Sequence, residues 1–242
     1  MSTLLKSLSA ALLALMLGSP VSAAVIANSS LEYSNVQGQD AWSYGFFNLT
    51  AKGSAYAPGD FTRFDTFDVL RQSWIPSAAQ VGATNIEFLN TNQLGGHPNG
   101  IGPGAQNSVI WAMRRYTSEV NGTVAIDFDL HKLNTINPQG GGITGHIFVD
   151  GVEVFNGIIA NADGVGVQAT VLRSVHIGSL IDFAIDPRGL VPLQGNDGLD
   201  SARADGTIFT AVLRDGIVLP EPPTALLVAL PLLLGALKRR AL

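Results

Sequence analysis

Cysteine is absent from this chain of 242 residues, which excludes both disulfide bonds and thiol chemistry. The fold must therefore depend on its hydrophobic core, and a chain of this length with 46% hydrophobic residues is long enough to bury one. Charge is scarce as well, at 14% of residues. Without the charges near the two ends (Lys6, Glu221, Lys238, Arg239 and Arg240), 10 basic and 18 acidic residues remain. An acidic middle region binds nucleic acid poorly, so we expect no nucleic-acid partner.

Sequence motifs of catalysis are also missing. The chain has no Gly-x-Ser-x-Gly elbow and no P-loop, and its histidines (His97, His131, His146 and His176) are not at zinc-protease spacing. We therefore predict a protein that is not an enzyme. The alternative is a secreted carbohydrate-active enzyme that uses two carboxylates, because glycosidases need such a pair but carry no fixed motif for it.

The first 23 residues have the pattern of a Sec signal peptide. Lys6 forms a short basic region, and an apolar run from Leu8 to Gly18 follows that is too short to span a membrane. Small residues then precede a predicted cleavage site after Ala23, with Ala24 as the alternative. The expected partners are the Sec export machinery and signal peptidase.

The last 24 residues combine three features. Pro220-Glu221-Pro222 interrupts regular structure, an apolar run extends from Thr224 to Leu237, and the basic cluster Lys238, Arg239 and Arg240 ends the segment. An apolar helix followed by basic residues inserts with its basic end in the cytoplasm. We predict a hydrophobic helix in the inner membrane before processing.

These features together resemble the PEP-CTERM sorting signal, in which a Pro-Glu-Pro motif precedes a membrane span and a terminal basic cluster. The resemblance implies an exosortase-type sorting enzyme as a partner and cleavage near Pro220, Glu221 and Pro222. It also implies a final location at the cell surface or in the extracellular polysaccharide. The predicted organisation is a signal peptide (1–23), a β-domain (24–218) and a sorting segment (219–242).

Alternating apolar and polar residues predict an all-β domain. The clearest case is Thr123 to His131, where every second residue is apolar. Asp150-Gly151 between two apolar runs predicts a hairpin with a type I′ turn. Further strands are predicted at 25–33, 42–49, 69–74, 108–115, 165–177, 180–186 and 207–214, with a glycine-rich loop at 94–104 and a hint of a helical turn at 61–67. We expect a single antiparallel β-sandwich.

Two sets of residues are candidates for ligand binding. Trp42 and Tyr44 share one face of a strand, and Trp111 is central in another, so these rings could stack on sugars, although a core position is the commoner reason for such a pattern. Asp127, Asp129 and His131 share the polar face of their strand and suggest either a metal or acid/base cluster or, more commonly, an ordinary solvated face.

An acidic loop is the candidate metal site. Asp197, Asp200 and Asp205 lie within ten residues of one another, and carboxylate oxygens are the ligands that Ca²⁺ prefers. The spacing differs from that of an EF-hand, and Asp is also a common turn residue. A structural Ca²⁺ is the only cofactor that the sequence suggests.

The middle of the chain is similar to a jelly-roll-like domain found in exported bacterial proteins. The similar segments, in order, are 109–111, 122–124, 147–152, 177–183 and 205–207. This resemblance implies a sandwich like that of a carbohydrate-binding module, and extracellular glycan as a partner, but it identifies no binding residue.

Overall fold

A computed structural model describes residues 23–81, 88–100, 108–136, 141–189 and 205–216. This part of the chain is almost entirely β-structure, with two single-turn helices, α1 (Leu49–Lys52) and α2 (Ala78–Val81). Its strands are β1 (Val25–Asn28), β2 (Trp42–Asn48), β3 (Thr62–Arg63), β4 (Thr66–Asp68), β5 (Ser73–Ile75), β6 (Asn90–Asn92), β7 (Gly95–His97), β8 (Ile110–Thr117), β9 (Gly122–Lys132), β10 (Ile143–Val149), β11 (Val152–Ile159), β12 (Val167–Val175), β13 (Leu180–Asp186) and β14 (Thr207–Asp215).

The strands form two antiparallel sheets that pack face to face, as predicted. The larger sheet has the order β12-β9-β14-β7-β6-β5-β4, with β1 also paired to β14. The smaller sheet has the order β11-β10-β13-β8-β2-β3. Because sequence-distant strands are neighbours in both sheets, the fold depends on long-range pairing.

Alternation along the strands builds the core between the sheets. In β9, Val124, Ile126, Phe128 and Leu130 are buried, while the residues between them are half-exposed. The inward side chains of β13, Ile181, Phe183 and Ile185, meet them from the other sheet. The buried and half-exposed faces predicted for β9 are confirmed, and Ile181, Phe183 and Ile185 of β13 face inward.

The hairpin between β10 and β11 has the predicted turn. Asp150 and Gly151 both have positive φ, at 51° and 81°. A type I′ turn requires this at both central residues, and aspartate and glycine tolerate it better than most residues do.

Some predicted boundaries are wrong near the start of the domain. β1 ends at Asn28, because the side-chain oxygen of Asn28 accepts hydrogen bonds from the backbone N–H groups of Ser30 and Leu31 and turns the chain. The strand predicted at 69–74 is a turn followed by β5, and Asp68 makes the same kind of local bond to Leu70.

Two other expectations are corrected. Residues 61–67 contain β3 and β4 rather than a helical turn, and Phe64 between them is buried. The predicted loop at 94–104 contains β7, which pairs with β6 and β14, while 101–107 lie outside the described residues. Such short strands contain too few residues to show alternation.

A buried arginine joins the two sheets. Arg114 on β8 is only 3% exposed and points between the sheets, like Ala112 and Tyr116 on the same strand. Its guanidinium donates hydrogen bonds to the carbonyl oxygens of Ser29 (3.3 Å), Asn92 (2.7 Å) and Gly95 (3.1 Å). Arg114 thus joins the smaller sheet to two turns of the larger one.

A segment from Leu49 to Phe61, here called the strap, covers part of the outer face of the smaller sheet. Tyr56 of the strap packs on Trp111 and Phe148, with ring centroids 6.2 Å and 4.9 Å away. The Tyr56 hydroxyl also donates a 2.6 Å hydrogen bond to Asp182. This contact explains why both faces of the smaller sheet contain buried residues, whereas the larger sheet has a solvated outer face.

Candidate functional site

The outer face of the larger sheet carries the predicted polar residues at the centre of β12-β9-β14. Asp127 accepts a 2.6 Å hydrogen bond from the Thr170 hydroxyl on β12 and a 2.7 Å bond from Arg214 Nε on β14. The Asp127 and Arg214 side chains are 36% and 41% exposed. The pair is therefore held in place and still accessible to a ligand.

Asp129, two residues further along β9, has an amide and an imidazole as partners. Its two oxygens lie 2.8 Å from His131 Nδ1 and 3.2 Å from Gln168 Nε2. All four carboxylate oxygens of Asp127 and Asp129 thus have protein hydrogen-bond partners. The cross-strand register explains two of these contacts, because Thr170 pairs with Asp127 and Gln168 pairs with Asp129.

These side chains border an open surface depression of about 500 Å³. We call it the polar face; its lining residues are Asp127, Phe128, Asp129, Gln168, Ala169, Thr170, Thr210, Ala211 and Val212. The outer side chains among them are two carboxylates, one amide, two hydroxyls and Val212, because Ala169 and Ala211 lie opposite Phe128 and share its inward side. Such a largely polar lining suits a ligand with several hydroxyl groups.

The three predicted aromatic residues lie elsewhere. Trp42 and Tyr44 are 0% exposed and belong to the core between the sheets. Trp111 is 5% exposed and lies on the outer face of the smaller sheet, where the strap covers it. Their rings are packed against other aromatic rings, with Trp42 5.1 Å from Tyr116. The suggested sugar-stacking role is therefore corrected to core packing, because a buried ring has no free face for a ligand.

A cluster around His146 was missed at the sequence level. His146 lies 2.6 Å from Glu153 through Nδ1 and 3.7 Å from Asp186 through Nε2, and its ring stacks on Trp111 at 4.7 Å. Arg188 donates hydrogen bonds to Asp186 from its guanidinium, with Nε 3.0 Å and 2.9 Å from the two carboxylate oxygens, and from its backbone N–H at 2.9 Å. Glu153 comes from β11, the other strand of the same hairpin, whereas Asp186 lies on β13, which is more distant in the sequence.

The electrostatics of this cluster point to a structural role. Burial raises the pKa of Asp186, but hydrogen bonds from His146 and Arg188 outweigh it and hold the pKa below its usual value. The Asp186 carboxyl is 1% exposed, so it is closed to a large substrate. The cluster clamps β10, β11 and β13 together.

The remaining histidines are dispersed. His97 on β7 donates from Nδ1 to the Pro98 carbonyl at 2.7 Å, and burial lowers its pKa to about 4. His176 was predicted on a strand, but β12 ends one residue before it; its Nδ1 lies 2.6 Å from the Ser179 hydroxyl in the following turn. Neither residue joins the polar face.

The proposed calcium ligands are only partly described. Asp205 is buried and accepts a 2.8 Å hydrogen bond from the ammonium group of Lys132, which is also buried. The partner of Asp205 in the structure is thus a buried lysine. Asp197 and Asp200 lie outside the described residues. Within the described ranges, no group of three or more histidine, aspartate or glutamate side chains is arranged to hold a metal.

The processing residues lie at or beyond the ends of the described chain. Ala24 is exposed, and its carbonyl accepts a hydrogen bond from the Asp215 N–H beside β1, while Ala23 is half-buried. Pro220, Glu221, Pro222 and the basic cluster of Lys238, Arg239 and Arg240 are outside the described residues. The helices that the structure does describe are all too short or too polar to cross a membrane.

Comparison with known proteins gives only distant structural similarity. No protein family and no curated protein matches the chain. A β-glucosidase from Kluyveromyces marxianus in complex with glucose is 11% identical over 82% of this chain and 20% of that one, with a TM-score of 0.33. A selenomethionine-labelled form of that enzyme aligns over 46% of this chain and 12% of its own, at 11% identity and a TM-score of 0.26.

The third similarity is to CBM51 from Clostridium perfringens GH95 in complex with methyl-galactose. It is 14% identical, covers 50% of this chain and 81% of that chain, and has a TM-score of 0.29. This chain thus spans a small fraction of the β-glucosidase and most of the CBM51 structure. At these TM-scores the similarities carry no argument about function, which must come from the chain's own residues.

Proposed function

We propose that this protein is a non-enzymatic, exported surface or matrix protein whose β-sandwich binds neutral extracellular glycan through the polar face. The observation that carries the proposal is the paired arrangement of Asp127 with Arg214 and Thr170 on an exposed sheet surface. Sugar hydroxyls both donate and accept hydrogen bonds, so a carboxylate beside a guanidinium and a hydroxyl offers matching partners. Val212, directly opposite Asp127, supplies a small apolar patch for the C–H groups of a sugar ring.

The charges of the polar face favour neutral over acidic polysaccharide. Asp127 is balanced by Arg214, whereas the hydrogen-bond partners of Asp129 are a histidine and an amide. A uronate chain would bring further carboxylates next to Asp129, and like charges at close range weaken binding.

The carboxylate arrangement also supports binding rather than catalysis. A glycosidase needs one carboxyl group to protonate the leaving group and another to act as nucleophile or base. Asp127 and Asp129 instead use every oxygen to contact neighbouring protein groups. The enzyme alternative would need a second carboxylate pair with free oxygens at one cleft.

Binding to a glycan array tests this proposal. The full chain is applied to neutral oligosaccharides of glucose, galactose and mannose, with polygalacturonate as the acidic counterpart. We expect binding to a neutral glycan, a loss of about tenfold or more in Asp127→Asn and Arg214→Gln, and no loss in Glu119→Gln, an exposed carboxylate outside the polar face. Equal binding by all four proteins, or no glycan bound at all, would overturn the proposal.

The proposed route to the surface rests on the two ends of the sequence. We propose export by Sec, sorting by the segment 219–242 and cleavage near Pro220 to Pro222, supported by the order of the proline motif, apolar run and basic cluster. C-terminal peptide mass spectrometry on protein from cells and medium tests it. Loss of the residues after the motif is expected; an intact Arg240 region in all fractions would contradict cleavage.

A further inference from the structure

The strand orders of the two sheets end in four edge strands, β12 and β4 in the larger sheet and β11 and β3 in the smaller one. β12 differs from the other three. At those other ends, β4 and β3 have three and two residues, and β11 is interrupted by a register shift opposite Ile147 and Phe148. β12 has nine residues without proline or glycine and pairs with β9 in unbroken register from Val167 to Val175. Natural sheets usually shorten, bend or charge such an edge to prevent pairing with another chain.

The side chains of β12 do little to protect that edge. Arg173 is the only charged residue of the strand, and its guanidinium bonds to the carbonyl of Leu172 next to it. Leu172 itself is 52% exposed. Within the described ranges no strand pairs with the outer side of β12. A sheet edge of this kind beside exposed apolar surface is a template for a further strand.

The sequence of β12 is complementary to itself in one antiparallel register. When two copies are related by a two-fold axis at Val171, all nine residues pair, and outward side chains meet outward side chains as the pleat requires. The apolar inward residues then meet one another, Val171 with Val171 and Val167 with Val175. Arg173 falls opposite Ala169, so the single charge of each strand never meets its copy.

We propose that β12 is the interface of a homodimer in which two copies of this chain form one continuous antiparallel sheet. The two polar faces then lie on the same side of the joined sheet, close to the two-fold axis. If each polar face binds glycan, the dimer presents two adjacent sites to one polymer, which raises avidity without any new contact. The dimer itself does not depend on glycan binding.

Charge substitutions at Ala169 test the register. Ala169 is exposed. In the dimer, Ala169 of each copy lies opposite Arg173 of the other copy, so this pair occurs twice. Ala169→Lys should raise the dissociation constant of the dimer by about tenfold, because like charges directly opposite destabilise a strand pair. Ala169→Glu should lower it, and adding Arg173→Glu to Ala169→Lys should restore dimer formation. Sedimentation equilibrium of the full chain measures all four proteins.

A crosslink provides a second measurement that does not depend on charge. Since the chain has no cysteine, Val171→Cys introduces a single thiol at the two-fold axis. Cα atoms of directly opposed residues are close enough for a disulfide. Oxidation should give a covalent dimer for Val171→Cys and none for Thr66→Cys on the distant edge strand β4. A monomer at all concentrations, or a dimer unaffected by Ala169→Lys and not crosslinked through residue 171, would overturn the proposal.

Discussion

Arg114 offers the sharpest test of how the sandwich is held together. Among the described residues, no carboxylate lies within ion-pair distance of its guanidinium, and its hydrogen-bond partners are three backbone carbonyls. Burial lowers the pKa of Arg114 to about 10, which still leaves the side chain charged at neutral pH. The sandwich therefore contains a cation that is stabilised by peptide dipoles rather than by an opposite charge.

Replacing Arg114 by methionine removes the donors and keeps most of the volume. Each carbonyl left buried without a donor costs about 1–3 kcal/mol, and we take the lower value because Asn92 is only half-buried. Three carbonyls give a loss of about 3 kcal/mol. With a urea dependence of about 2 kcal/mol per molar, the unfolding midpoint should fall by about 1.5 M.

Urea unfolding of the purified chain, followed by tryptophan fluorescence, measures this loss. Arg114→Lys is the matched control, since it keeps the charge but lacks the planar fork that spans several carbonyls. We expect Arg114→Lys to be destabilised as well, though less than Arg114→Met. If Arg114→Met were as stable as the wild type or more stable, the burial cost of the charge would exceed the value of its hydrogen bonds, and the reasoning would be refuted.

Two further predictions concern the strap and pH. Asp182→Asn should destabilise the chain by about 3–5 kcal/mol, because Asp182 is fully buried and binds both Arg115 and Tyr56. Tyr56→Phe removes only one hydroxyl and should cost about 1 kcal/mol. Equal unfolding midpoints for the two variants would contradict this ranking. Burial lowers the pKa of His97 to about 4, so His97 stays neutral in the folded state at pH values where the same side chain is already protonated in the unfolded chain, whose pKa is about 6.5. Its contribution to stability is complete above pH 6.5 and is lost as the pH falls towards 4, by about 2 kcal/mol after allowing for partial exposure. His97→Gln should lose less stability than the wild type between pH 7 and pH 4.5, and an identical loss would count against the assignment.

The parts of the fold that were predictable follow from local patterns. β9 and β13 alternate over seven or more residues, and Asp150-Gly151 matches the backbone geometry of its turn. Short strands such as β6 and β7 give no such signal, because three residues cannot establish a period. Their positions depend on pairing with β5 and β14 rather than on their own sequence.

Only part of the polar face could be predicted from the sequence. Alternation in β9 placed Asp127 and Asp129 on one side, but nothing in the sequence links Asp127 with Arg214, 87 residues further along the chain. Arg114 illustrates the opposite failure. Its strand position predicts an inward side chain, whereas its charge argues for solvent, and only the carbonyls of two distant turns make the buried position stable.

The most direct test of the account is chemical-shift mapping of the glycan site. Backbone amide signals of the full chain are followed by NMR during titration with the neutral oligosaccharide that binds best on the array. We predict the largest shifts at Asp127, Thr170 and Thr210, with little change at Ile147 in the core of the smaller sheet. Shifts centred on the smaller sheet, or none at millimolar oligosaccharide, would contradict the assignment of the polar face as a glycan-binding surface.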